Sequence, residues 1–147
     1  MTLQQKEKLF SIAKALIGKP YRYGAKPEDA PEIFDCSSFM QYLFGQIGIK
    51  LPRSSILQAG DKQGKEIVPH AGFSNLEIGD LIFMRGVQGH YNDSLFSGRQ
   101  ISIGHVGVYL GNGKVIHASS GQGSVAEQNL SELTQKPNYA ISLVKRF

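Results

Sequence analysis

The chain has 147 residues, 41% of them hydrophobic and 19% charged, with a net charge of +4, one cysteine and no tryptophan. That length suits one domain around a single full core, and the composition excludes a disordered chain or a run of membrane spans. The charge is uneven: residues 1–26 carry Lys6, Lys8, Lys14, Lys19, Arg22 and Lys26 against Glu7 alone, so the remainder is close to neutral. A basic end can favour an anionic polymer. With no Lys/Arg run and no interleaved aromatic platform, these lysines read as the wet face of a helix, and no nucleic-acid partner is expected.

The first helix is expected over the opening residues. Thr2 and Gln5 fit a capping box, Leu9, Ile12, Ala13, Leu16 and Ile17 share one face, and Gly18 and Pro20 stop it. Lys14 interrupts the apolar stretch and no small-residue cleavage site follows, so no targeting segment or integral membrane segment is expected here. A second helix should start at the cysteine. Asp35 is a good N-cap, and Phe39, Met40, Leu43, Phe44 and Ile47 recur at helical spacing up to Gly48. Cys36 then sits in the first turn, where free N–H groups and the helix dipole favour a thiolate. A cysteine in the middle of that apolar face would be core; one in the first turn is placed to react.

Residues 54–59 fit a short helix, and strand signals follow at residues 80–85, 105–110, 114–119 and 140–147. Helices first and then an antiparallel meander argue an α+β fold. Residues 86–100 are polar and unpatterned and read as a loop near the site. In the hairpin, Val106, Val108, Leu110, Ile116 and Ala118 are even-numbered and apolar, whereas His105, Gly107, Tyr109, His117 and Ser119 are odd-numbered and mostly polar. A two-residue turn at Asn112-Gly113 would mix those faces. A three-residue Gly111–Gly113 loop pairs 110 with 114 and keeps them apart. His117 then lies opposite Gly107 and diagonal to His105, with both imidazoles on the open side of the sheet.

One cysteine and two neighbouring histidines outline thiol catalysis. His105 is the candidate base for Cys36, and His117 the group that holds the ring of His105 in place, the third member of a triad. The backbone N–H of Cys36 is one ready oxyanion donor. Each residue also has a bland reading: Cys36 as a buried small side chain, His105 and His117 as structural histidines, or the two histidines as zinc ligands lacking a third partner. His70 and His90 read as surface residues, Gly79-Asp80 as a turn feeding a strand, and Arg53 as exposed.

Read together, the motifs resemble the NlpC-type family of papain-like cysteine peptidases, which cleave bacterial cell-wall peptides. Members carry a tyrosine-glycine segment, an Asp-Cys-Ser helix start, a Leu-Pro-Arg segment with a following Gln, a Gly-Asp-Leu strand, and His-Val-Gly-Tyr with a second polar residue twelve on. Here these are Pro20-Tyr21-Arg22-Tyr23-Gly24, Asp35-Cys36-Ser37, Leu51-Pro52-Arg53-Ser54-Ser55 with Gln58, Gly79-Asp80-Leu81, and His105 with His117, over about residues 10–147. The resemblance implies Cys36 as nucleophile, His105 as base, His117 as orienter and Tyr21 beside the oxyanion site. It also implies Asp35, Ser37, Arg53 and Ser55 around the D-glutamyl part of a stem peptide. Ser38 departs from the family's usual Gly, and residues 25–33 and 86–100 look longer than usual.

The expectation is therefore a single α+β, papain-like catalytic domain over residues 1–147. It would hydrolyse peptidoglycan or muropeptides without a cofactor or metal, at the bond from γ-D-glutamate to the diamino acid. An N-acetylmuramoyl-L-alanine amidase or acyltransferase using the same three residues is the competing enzyme, and a non-catalytic wall-binding module the third class. Stem type, oligomeric state and cellular location are left open.

Overall fold

A computed structural model describes residues 1–147. Helix α1 spans Leu3–Ala15, α2 Cys36–Gly45, α3 Ser55–Ala59 and α4 Leu130–Leu133. The strands are β1 (Lys65–Ile67), β2 (Leu81–Met84), β3 (His105–Gly111), β4 (Lys114–Ser119), β5 (Ser124–Asn129) and β6 (Ile141–Arg146). They form one antiparallel sheet in the order β1-β6-β2-β3-β4-β5. The fold is α+β, with a meander from β2 to β5 and the last strand inserted between β1 and β2.

Local chemistry accounts for the helices. Thr2 and Gln5 cap α1 reciprocally, Gln5 N–H donating to Thr2 Oγ1 at 3.1 Å and Thr2 N–H to Gln5 Oε1 at 2.8 Å. Leu9, Ala13 and Leu16 are buried, but the chain has already left the helix at Ile17, which stays 44% exposed instead of joining that face. In α2 the expected Phe39, Met40, Leu43 and Phe44 are buried and the helix packs on β3 and β4, while Ile47, past the helix end at Gly45, joins the same core. Four cations of the basic segment are paired, Lys6 with Glu77, Lys14 with Glu127, Lys19 with Glu32 and Arg22 with Asp29, so no broad positive patch is presented.

Three strand readings need amendment. β1 and β5 carry no apolar alternation and are held by pairing, β1 with β6 and β5 with β4. In the hairpin, Val108 pairs with Ile116 and Tyr109 with Val115, the expected register, but the tip closes as Gly111 opposite Lys114 with a bulge at Leu110. The bulge absorbs the one-residue difference, so the two-residue turn at Asn112-Gly113, both at positive φ, does not scramble the faces. The odd-numbered face is also not open. Tyr109 and Val115 join Ile82, Met84, Val144, Leu76, Leu130 and Leu133 in a second, smaller core, and His117 is fully buried.

Two segments read as a turn and a loop are better structured than that. Asp80, 1% exposed, accepts from Arg146 Nε at 2.8 Å and Nη2 at 2.7 Å, tying β2 to β6. The segment after β2 is anchored by Phe96, Ile101 and Ile103, all in the main core, and by a bridge between His90 and Ile103. Gly86 and Gly104 cross so closely that a Cβ on Gly104 would stand 2.4 Å from the Arg85 carbonyl oxygen, which brings this segment against the start of β3.

Candidate active site

Asp35 builds the nucleophile side. Its Oδ1 accepts from Ser38 N–H at 2.8 Å, and its own N–H donates to Ser38 Oγ at 2.9 Å, a reciprocal capping box that starts α2 at Cys36. Ser38 supplies half of that box. The Arg53 guanidinium grips the same carboxylate, at 2.6 Å to Oδ2 and 3.2 Å to Oδ1, and also donates to Ser37 Oγ at 2.7 Å and to the Ala25 carbonyl at 2.5 Å. Arg53 is therefore a bound strut rather than a free surface cation. Gln58, fully buried, donates to the Ser37 and Pro52 carbonyls at 3.0 and 2.7 Å and pins the Leu51–Arg53 segment to the nucleophile helix. Tyr21 is carried alongside by a bridge to Phe34, the residue before Asp35.

The histidine side comes from the sheet. His105 Nε2 lies 2.7 Å from His117 Nδ1, and His117 Nε2 lies 2.5 Å from Gln128 Oε1 on β5. Gly107 makes room for this: a Cβ there would meet Val115 Cγ2 at 2.8 Å and His117 Cβ at 3.2 Å. Tyr139 packs edge-on against both rings, with centroids 5.5 Å from His105 and 5.9 Å from His117. With Gln128 on its second nitrogen, His117 has no position left for a metal. No hydrogen bond joins the Cys36 sulfur to His105; Nδ1 of His105 is the nitrogen left for it.

The electrostatics correct the expectation of a ready thiolate. Burial first, and the Asp35 charge second, push the Cys36 thiol up to about 11. They outweigh the Val106 and Ser37 N–H groups and the Arg53 cation, which act the other way. Burial, helped by His117, takes His105 down to about 3, and burial lowers His117 against the pull of its bond to Gln128. Both shifts favour the neutral forms, a thiol on Cys36 and an imidazole on His105. Tyr21 is pushed up to about 12 by burial and then by the Cys36 and Asp35 charges, so its hydroxyl keeps its proton.

These residues open on one cleft of about 570 Å³, lined by Tyr21, Asp35, Cys36, Ser37, Arg53, Ser55 and His105 together with Val87, His90 and Tyr139. Every candidate from the sequence borders it except His117, which sits behind His105. His90, read as a surface residue, is exposed but forms part of the cleft wall, whereas His70 lies on the outer surface away from it. Sequence reasoning missed Tyr139 and Gln128. Neither falls in a motif, and only the pairing of β4 with β5 makes Gln128 a neighbour of His117.

A cysteine at a helix start facing an imidazole pair on an antiparallel sheet defines the papain-like class of α+β folds. The profile of the NlpC/P60 family matches residues 18–144, and the chain belongs to that family. It is 32% identical over 122 residues to a probable endopeptidase of Corynebacterium glutamicum, covering 83% of this chain and 47% of that protein. It is 36% identical over 118 residues to a probable endopeptidase, an NlpC homolog, of Haemophilus influenzae, covering 78% of this chain and 50% of the other. The chain thus spans about half the length of these relatives. Among solved structures, NlpC1 from Trichomonas vaginalis superposes with a TM-score of 0.75 at 26% identity, covering 100% of this chain and 45% of that one. The NlpC/p60 domain of the peptidoglycan hydrolase SagA superposes with a TM-score of 0.69 at 25% identity, covering 97% of this chain and 98% of that domain.

Proposed function

We propose that this chain is a cysteine peptidase that hydrolyses the γ-D-glutamyl–diamino acid bond of peptidoglycan stem peptides. The observation that carries the reading is the convergence of Cys36, in the first turn of α2, and the His105–His117 pair on one cleft. Because thiol and imidazole start neutral, the proton passes from sulfur to Nδ1 of His105 as sulfur attacks the carbonyl carbon. The Cys36 N–H, which has no partner within its helix, and the Tyr21 hydroxyl stabilise the oxyanion. Collapse expels the amine, which takes its proton from His105 and leaves a thioester on Cys36. Water, deprotonated by His105, then releases the acid.

Substrate choice follows from the nucleophile side. A γ-linked D-glutamate keeps its α-carboxylate free, and Arg53, Asp35, Ser37 and Ser55 line the cleft where that group would lie. The terminal N–H groups of Arg53 are committed to Asp35, Ser37 and the Ala25 carbonyl, so Arg53 acts there by its charge and by holding Ser37 in place. Support for the cell-wall substrate comes from relatives named probable endopeptidases and a structural neighbour named a peptidoglycan hydrolase. Mass spectrometry of defined muropeptides after digestion tests the reading. A cut between D-glutamate and the diamino acid is expected. Release of the intact stem would instead mark an amidase, and no product a binding module.

A further inference from the structure

The two hydrogen bonds behind the candidate base form a one-way relay, and its end is an amide. A carbonyl oxygen only accepts, so Gln128 Oε1 at 2.5 Å requires the proton of His117 to be on Nε2. A neutral imidazole carries one N–H, so Nδ1 of His117 holds a lone pair and accepts at 2.7 Å from Nε2–H of His105. Nδ1 of His105 is then bare, the state a base needs. If the amide were reversed, its NH₂ would donate to His117, every proton would shift by one nitrogen, and Nδ1 of His105 would already be protonated. The motif histidines cannot choose between these states, because a pair of neutral imidazoles satisfies the bond in either direction.

We infer that Gln128 is a positioning residue that sets the tautomer of both histidines and thereby makes His105 a base, a role resting on the peptidase reading above. His117 is fully buried and Tyr139 lies against both rings, so water is poorly placed to substitute for the amide. Gln128 is two residues beyond Ala126, the partner of His117, and on the same face of β5, which is the diagonal placement such a contact needs.

The experiment is ¹⁵N NMR of the whole chain with labelled histidine, read beside steady-state hydrolysis of a γ-D-glutamyl muropeptide at pH 8. Wild type should show Nε2–H on both His105 and His117. Gln128→Met, similar in length but unable to fix a direction, should give mixed tautomers and lower kcat about tenfold with KM unchanged. Gln128→Glu, whose carboxylate can only accept when ionised at pH 8, should restore both the tautomers and most of kcat. Nδ1–H on His105 in wild type, or unchanged tautomers and kcat in Gln128→Met, would overturn the inference. The wild-type spectrum decides even where a variant does not fold. Expected tautomers without any muropeptide hydrolysis would support the relay while sinking the peptidase reading.

Discussion

The two halves of the cleft are built by opposite means. The nucleophile half is charged: Asp35 caps the helix that carries Cys36, and Arg53 and Gln58, from the segment after that helix, lock the cap together with Ser37. The histidine half is neutral: His105, His117 and Gln128 come from three adjacent strands and share no ionised partner. The charged half positions a group. The neutral half fixes where a proton is, through hydrogen bonds that run in one direction. Placing Asp35 next to the thiol has a cost, since its charge opposes ionisation of Cys36.

Removing the reacting atoms gives the largest effect. Cys36→Ala and His105→Ala should each lower muropeptide hydrolysis by roughly 10³-fold or more without unfolding the chain, because neither partner works alone. One step behind the base, His117→Ala should cost on the order of a hundredfold in kcat, and His117→Asn should recover part of it. Equal and complete loss in both variants would mean that His117 does more than orient.

The thiol comes next. With Cys36 pushed up to about 11, its reaction with iodoacetamide at pH 7 should be more than about tenfold slower than that of free cysteine, even after its greater intrinsic nucleophilicity is counted. Labelling faster than free cysteine would show that the ion pair forms before substrate arrives.

Stability separates the halves. Arg53→Ala should cost about 2 kcal/mol by urea unfolding, because it leaves Asp35 short of its partner, and Arg53→Lys should recover little since one ammonium cannot span both carboxylate oxygens. On the other half, His105 has a folded pKa far below its unfolded value, so the unfolded chain binds more protons and stability falls as pH drops from about 6.5 towards 3. Between pH 6 and 5 His105 should account for about 1 kcal/mol of that loss. His105→Asn should flatten the slope; an unchanged slope would place the effect elsewhere.

Much of this site was legible in the chain because its cues are local. The Asp35 cap, the Phe39–Ile47 stripe, the parity of the β3–β4 hairpin and the spacing of the motifs are fixed by neighbours a few residues apart, so they could be read before any fold was known. What escaped depended on which strands pair and which faces close. Lys65–Ile67 and Ser124–Asn129 become strands only by pairing, β6 enters between β1 and β2, and the second core closes the face that parity alone left open. Tyr139 and Gln128 reach the histidines only through that arrangement. The same burial works against the expected thiolate, because desolvation is summed over the whole surrounding fold and no local pattern records it.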